Sequence, residues 1–573
     1  MATSQQTKLE FDPAPALDVG GTIMPNGSLK FVKTIRIAVS GDVRLTYGEW
    51  RVVDSIAFQR LRRVKQLGAS CYVYPTALHT RFDHSLGVLH EVDQLILKIN
   101  DNISQGYSIS QPIEITPRQR IIARLYALLH DITHVPFGHT LEDELKIFPS
   151  HDEFQKSDDS DLSRFEETLG PNTEIGRIIV EVYGAEIYDR FRNVFLIGGR
   201  KRIPVEESTG NAVNDEVTFF LVSNTVCADL FDYIKRDSYF TNLNINVSER
   251  IQNYMYVSVI SEDGIEKTLP VIRLWKKNEG RARADLLTDL TSLLEARYMI
   301  GERVYFHHAK IIVDAMIGRA VYEAVRNGKL NSLAMLKYSD DSLLDYLSGL
   351  KAPKLEVAQR LASDIMSRRL YKRIEKYGID KFGDGGDRSD LAEEALSVLK
   401  KPELRTKIED DISFWAGGAP GDVLIFPPSR KMNSKVARAI VDWRGRQIPL
   451  SEIDDAIVKP RLDLLKESHK RLWGIHLLAS PNFSEDQRDA ARRAFDGYFL
   501  GKVRAIDSFE VLFREKVDDL EKMSNRSTKD RKAVSKHAAK AFVGNNLSFH
   551  GAAGEKIGIV IQNYIDQAID AVL

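Results

Sequence analysis

Three short fragments concentrate the residue types that carry out metal-assisted chemistry: HTRFDHSLGV at 79–88, LLHDITHVPFGH at 128–139 and ADLFDYIKRD at 228–237. A hard divalent ion takes imidazole nitrogens and carboxylate oxygens and keeps positions open for water and substrate. His130 and Asp131 are adjacent, so they serve one ion only with partners from elsewhere, and the other two fragments offer His84 and Asp229. Two histidines and two carboxylates leave room for a nucleophilic water. A lone His-Asp pair is common by chance, but here His134 follows His130 by four residues, on the same helical face, and His139 follows a proline turn. Histidines at this density on a segment with a buried apolar side are costly without partners. Asp229, Tyr233 and Asp237 stand at i, i+4 and i+8 on one helix face with apolar neighbours around Asp229, whereas Asp232 and Arg236 read as an ordinary surface pair.

Rigid elements must hold these fragments. From Phe31 to Leu45, Val, Ile and Thr predict short strands. DSIAFQRLRRVKQLG predicts a helix with Ile56, Leu61, Val64 and Leu67 on its apolar stripe, closed by Gly68. Thr116-Pro117 is an N-cap followed by proline at the first helical position. The helix then runs through RQRIIARLYALLHD until Pro136 stops it after His134. Gln155–Arg164 is polar and reads as a loop, VCADLFDYIKRDSYF as a helix, and YMYVSVISEDGIEKTLPVIRLW as a β-hairpin turning at Asp263-Gly264. Helices resume from Leu286 to about Asn327, and helical text runs on to near Tyr377 before the break KFGDGGDRSD. GDVLIFPP then predicts a strand, VDWRGRQIPL a hairpin, and the remainder amphipathic helix. The expected fold is mostly α, with short β-hairpins: an arm at 1–34, a helical core at 35–330 and a mixed α/β accessory region at 331–573.

Composition narrows the class. Eighty basic residues against eighty-one acidic ones exclude a globally basic, nucleic-acid-coating protein. Cys71 and Cys227 form no CxxC pair, which argues against a disulfide scaffold or thiolate zinc site and suits a reducing cytoplasm. No apolar run reaches the roughly 20 residues of a membrane span, and the N-terminus lacks a signal-peptide pattern, so a cytoplasmic protein without a membrane partner is expected.

The sequence resembles the HD-domain deoxynucleoside triphosphate triphosphohydrolases, bacterial dGTPase-like and sterile-alpha-motif-containing members alike. QRLRRVKQLG, HTRFDHSLGV, HDITHVPFGH, DYIKRD and RVYFHH carry the likeness in order. The resemblance implies an HD-domain phosphohydrolase core whose divalent metal (Mn, Fe, Zn or Ni, with Mg accompanying the nucleotide phosphates) is bound by His84, His130, Asp131 and Asp229. It implies hydroxide attack on the α-phosphorus of a deoxynucleotide, releasing deoxynucleoside and inorganic triphosphate. His139 would protonate the leaving 5′-oxygen with Glu142 orienting it, a position where many relatives carry aspartate. His134 and His151 would contact phosphates, Arg81 and Arg297 would neutralise them, and Tyr305 would stack on the base. Gln66 and Asp237 fall where the 3′-hydroxyl is bound, and Tyr233 and Leu67 where a 2′-hydroxyl is excluded. Asp54, Gln59 and Arg62 match positions at which some relatives bind an activating nucleotide, a device that would act through a homo-oligomer. One departure is Leu230, which stands where relatives often carry a phosphate-gripping lysine; Lys235 or Lys310 are the available substitutes.

The sequence leaves three other readings open. The same metal site suits another HD nucleotide phosphodiesterase or monophosphatase, which Leu230 favours. A non-catalytic nucleotide sensor is a second. The basic stretch Lys522–Lys540 raises nucleic-acid binding as a third, although it lacks interleaved aromatics.

Overall fold

The computed structural model describes residues 19–104, 113–150, 159–198, 212–262, 265–276, 279–382, 388–429, 439–456 and 458–500. A hairpin of β1 (Lys33–Ile37) and β2 (Gly41–Leu45) opens the fold, as the Val/Ile/Thr pattern predicts. Where one helix is expected over 54–68, the chain instead makes α1 (Tyr47–Asp54), a single turn at Ile56–Gln59 and a 3-10 turn at Arg60–Arg63. The cause is Ser55. Its extended backbone ends α1, its hydroxyl donates to the Val52 carbonyl at 2.6 Å, and its oxygen caps the next turn at Phe58 N. Ile56, assigned to the buried stripe, is 84% exposed.

The helices α2 (Arg81–Ser104), α3 (Pro117–Leu129), α4 (Ala212–Val222) and α5 (Ala228–Thr241) contribute to the principal core, together with helices over Glu174–Tyr183, Ala185–Gly198 and Ala284–Ile300. Thr116 and Gln119 cap α3 reciprocally with Pro117 at the first position, as predicted. The helix stops at Leu129, however, because the Arg60 guanidinium takes the Ile132 and His134 carbonyls at 2.7 and 3.0 Å. Part of the polar stretch 155–164 read as a loop belongs to a helix over Asp159–Leu169.

The predicted hairpin is present as β3 (Met255–Glu262) and β4 (Ile265–Arg273), paired from Met255↔Ile272 to Glu262↔Ile265, with Asp263 and Gly264 themselves outside the described residues. The short strands β5 (Trp275–Lys276) and β6 (Arg281–Ala282) lead into α6 (Ala284–Ile300) and α7 (His308–Arg326), followed by α8 (Glu356–Met366). The text read as helix near Tyr377 is a strand, β7 (Lys372–Tyr377), since it forms one edge of a sheet completed by β8 (Val423–Phe426) and β11 (Ile475–Ala479) in the order β7-β11-β8. Between them lie α9 (Arg388–Leu399), α10 (Pro402–Trp415) and the hairpin β9 (Ile440–Trp443) with β10 (Arg446–Pro449). The last described helices are α11 (Val458–Leu472) and α12 (Glu485–Phe499).

The accessory region is woven into the core. β9 pairs parallel with β4 to extend the β3–β4 hairpin to four strands, and α11 packs on α6. In β8, Val423 and Ile425 face a cluster with α9, α10 and α12, while Leu424 and Phe426 face a cluster with α7 and α8. Alternation across a sheet buried on both faces explains the unbroken apolar run VLIF. No described helix is long and apolar enough to cross a membrane. The basic stretch 522–540 lies outside the described residues.

Candidate active site

Thr80 and Asp83 bond reciprocally, Thr80 N to Asp83 Oδ2 at 3.1 Å and Asp83 N to Thr80 Oγ1 at 3.4 Å, and this capping fixes where α2 begins. Arg81 and His84 are thereby both buried in its first turn. His84 Nδ1 lies 2.9 Å from Asp232 Oδ2, and His130 Nδ1, just past α3, lies 2.8 Å from the Ala127 carbonyl oxygen. With each Nδ1–H donated outward, each Nε2 is left to serve as a ligand. His84 Nε2 lies 3.1 Å from Asp229 Oδ1 and 3.7 Å from Asp131 Oδ2; His130 Nε2 lies 3.5 Å from Asp131 Oδ1 and 4.0 Å from Asp229 Oδ1.

His84, His130 and Asp131 form a group whose ligand atoms all lie within 4.8 Å of one another. These separations suit donors about 2 Å from a shared ion, and nitrogen with carboxylate oxygen is the right donor chemistry, so the residues fit a divalent metal. The electrostatics agree. Burial alone would lower the His84 pKa, but its hydrogen bonds to Asp229 and Asp232 and their charges push it up to about 10: the cluster attracts a cation. Asp131 is held well below the usual carboxylate range; burial opposes this, and Arg81, His130 and His134 outweigh it.

Asp232 and Arg236, read from sequence as a surface pair, are fully buried. Arg236 Nε and Nη2 donate to the two Asp232 oxygens at 2.9 and 2.8 Å, and the same carboxylate holds His84. The depth of this carboxylate has a signal in the sequence. Positions 229, 232, 233, 236 and 237 share one helical stripe, so a stripe turned towards the core carries the pair inward as well. Gly87 makes room for it: a Cβ there would collide with Asp232 Oδ1 and the Arg236 guanidinium. Gly87→Ala is expected to destabilise the protein by about 1–3 kcal/mol through this overpacking, read as a lower Tm. An unchanged Tm would show that the pair can move aside freely.

The pairing expected around His139 is corrected by the structure. Glu142 does not orient His139. Its Oε2 lies 2.6 Å from His134 Nδ1 and its Oε1 accepts from Arg164 Nη1 at 2.6 Å, all fully buried. His139 Nδ1 instead lies 2.8 Å from Asp143 Oδ2. The reason is local: Thr140–Glu144 is a π-helical turn, which brings position i+4, not i+3, beneath the imidazole. The His139 side chain is 59% exposed, open to a reactant, while its ring packs edge-on against His134 at 4.9 Å between centroids. His134 Nε2 lies 3.3 Å from Asp131 Oδ1, which joins the two histidines to the ligand cluster. His151 lies outside the described residues.

Asp237 is the centre of a second group. Its Oδ1 is 2.8 Å from His79 Nε2 and its Oδ2 accepts from the Tyr305 hydroxyl at 2.6 Å. Tyr305, expected to stack on a base, thus has its hydroxyl engaged with Asp237. Gln66 is aligned by its backbone N–H on the His79 carbonyl at 3.0 Å, and its buried Oε1 has no partner among the described residues. Leu67 is buried and Tyr233 half-buried on α5. Arg81 Nη1 donates to Asp131 Oδ2 at 2.5 Å, and Gly138 permits the crowding, since a Cβ there would stand 2.8 Å from both Arg81 Nη2 and His134 Nδ1. Arg297 is buried on α6, where its charge bears on Tyr233 and Cys227.

Leu230 is buried, and neither proposed substitute is free to replace a lysine there. Lys235 is paired with Glu91 and Glu249, and Lys310 with Asp314 at 2.5 Å. Away from the cluster, Asp54 is exposed at the end of α1, and Arg62 Nε donates to Gln59 Oε1 at 2.8 Å with its guanidinium 3.6 Å above the Phe82 ring.

Comparison with known proteins finds two family models and several relatives. The HD-domain family matches residues 81–186 and the HD-associated region matches residues 287–497. Among curated proteins, the chain is 28% identical over 381 residues to the deoxynucleoside triphosphate triphosphohydrolase SAMHD1 homolog of Dictyostelium discoideum, covering 65% of each. It is 25% identical over 413 residues to deoxynucleoside triphosphate triphosphohydrolase SAMHD1 of Gallus gallus, covering 65% of this chain and 63% of that one. It is also 24% identical over 372 residues to an uncharacterized Bacillus subtilis protein, YwfO, covering 61% and 74%. The match spans a little under two thirds of the length of the two triphosphohydrolases. The chain thus matches the HD domain over 81–186 and the HD-associated region over 287–497, and it is similar to the deoxynucleoside triphosphate triphosphohydrolases.

Proposed function

We propose that the protein hydrolyses deoxynucleoside triphosphates to deoxynucleoside and inorganic triphosphate. The observation that carries this reading is the convergence of His84, His130, Asp131 and Asp229 beside an exposed His139 paired with Asp143. A divalent ion held by those four residues would supply a water of lowered pKa and polarise the attacked phosphate. The chain's own residues do the rest. His139 carries the proton that the departing 5′-oxygen requires, and Asp143 holds the imidazole in the orientation to deliver it. Arg81 and Arg297 bring positive charge to the triphosphate, and His134, fixed by Glu142, lies between the ligand cluster and His139.

Sugar selection follows from the second group. Asp237, held by His79 and Tyr305, accepts the one proton of the 3′-hydroxyl while Gln66 donates from its amide Nε2 to the 3′-oxygen, and Leu67 with Tyr233 fills the space a 2′-hydroxyl needs. Nucleotide activation through Asp54, Gln59 and Arg62, and the homo-oligomer it would stabilise, belong to the same proposal. Leu230 favours a narrower alternative, hydrolysis of a less highly charged phosphate ester.

Turnover of each dNTP in 18O-labelled water, alone and in the four-way mixture, tests the reading. The label is expected in triphosphate, with the matching ribonucleotides at least about tenfold slower. Label in pyrophosphate or in a nucleoside monophosphate would move the chain to the alternative. Turnover confined to the mixture would establish activation.

A further inference from the structure

The π-helical turn that carries His139, Glu142 and Asp143 ends in carbonyls that the turn itself leaves unpaired, as every helix end does. They are taken by cations from a distant part of the chain. Lys400, immediately after α9, donates from Nζ to the Asp143 carbonyl at 3.4 Å and to the Glu144 carbonyl. Arg405, in the first turn of α10, donates from Nη1 to the Leu145 carbonyl at 3.1 Å and to Leu399 at 2.7 Å, binding the turn and the end of α9 with one guanidinium. The Glu144 carboxylate accepts from Ser429 N and stands 3.9 Å from Lys400 Nζ. Both cations belong to the segment matched as the HD-associated region.

We propose that this region positions the general acid: Lys400 and Arg405 cap the His139 turn and thereby hold Asp143 in register beneath the His139 imidazole. This rests on the reading of His139 as the acid. Asp143 is the direct link, because its carbonyl is held by Lys400 while its carboxylate holds His139. The cap is delivered from a rigid base. Arg319 on α7 donates to Glu323 at 2.8 Å, to Glu409 at 3.0 Å and to Asp410 at 2.7 Å, which fixes α10 against the core. The Glu409 carboxylate also accepts from Ile425 N at 2.8 Å, tying α10 to β8.

Both cations are desolvated to make these contacts. Burial lowers Lys400 to about 8, with Glu144 and Asp143 opposing and Arg405 and Lys146 reinforcing, and burial lowers Arg405 to about 10. Packing alone does not require charge at this place, and Leu141, Leu145 and Phe148 already supply apolar contact to the α7–α8 cluster. What the cations add is direction: they aim the carbonyls of the turn and set the angle at which it leaves Asp143.

The test uses the full chain with Lys400→Met and Lys400→Arg. In Lys400→Met, amide hydrogen exchange across 140–147 is expected to speed by about tenfold, and kcat on a dNTP to fall by about tenfold with KM within about twofold. Turnover of a p-nitrophenyl phosphodiester, whose leaving group needs no proton, should change by less than about twofold, and Lys400→Arg should restore both readouts. Unchanged exchange, or equal losses on the two esters, would overturn the proposal. Should the wild-type protein release no triphosphate from any dNTP, the proposed reaction fails by itself, and the exchange result still decides whether Lys400 holds the turn.

Discussion

Replacing Asp232 with alanine is expected to destabilise the protein by about 3–5 kcal/mol and to weaken divalent-metal binding by about 10- to 100-fold. The carboxylate is fully buried between His84 and Arg236. Its loss strands the Arg236 guanidinium, leaving it, among the described residues, the Ala38 carbonyl at 3.0 Å and the Ser40 hydroxyl at 3.1 Å, and frees the His84 ring to rotate off its ligand orientation. Thermal melting and metal titration measure the two effects separately, and native values for both would remove Asp232 from the account. The same carboxylate sets an acid limit. Arg236 and His84 hold Asp232 below the usual carboxylate range despite its burial, and Asp131 is depressed likewise. The stability these two contribute is therefore present above about pH 4 and is lost as the pH falls through their depressed folded values.

The second large effect concerns the proton donor. His139→Ala should lower kcat on a dNTP by about 10²–10⁴-fold, with little change in Tm because the side chain is mostly exposed. Its two acidic neighbours should then separate cleanly. Asp143→Asn is expected to reduce kcat while leaving the fold intact, since it removes the charge beneath His139. Glu142→Gln is expected to lower Tm first, since it takes the negative charge from the fully buried Arg164 and His134. The reverse pattern, with Glu142 acting on kcat alone and Asp143 on stability, would restore the assignment that the family resemblance implies.

How far the sequence discloses this site depends on the range of the forces involved. Caps and helical faces are local, so Thr116-Pro117, the α5 stripe and the β3–β4 hairpin are legible from residues a few positions apart. The four metal-ligand candidates come from three fragments, yet the residue types alone nominate them, and the structure places their ligand atoms together. What escapes is set by tertiary contacts. The helix expected from Asp54 gives way to a 3-10 turn at Arg60–Arg63, Arg60 unwinds the turn after α3, and a π-turn moves the partner of His139 by one residue. β7 and β11 are missed because each owes its strand form to the other: β7 holds few apolar residues, and β11 lies between two amphipathic helices. Asp232 is the instructive case, a charged residue whose depth follows from its helical phase and whose polarity argues the other way.

The most direct test is product analysis of metal-analysed protein. Wild-type chain and Asp131→Ala would be incubated with each dNTP and manganese or magnesium, and the products resolved by ion-exchange chromatography. Bound divalent metal and release of inorganic triphosphate with deoxynucleoside are expected from the wild type, and neither from Asp131→Ala. Equal metal content and equal turnover in the two proteins would contradict it, because the chemistry would then not run through the cluster of His84, His130, Asp131 and Asp229.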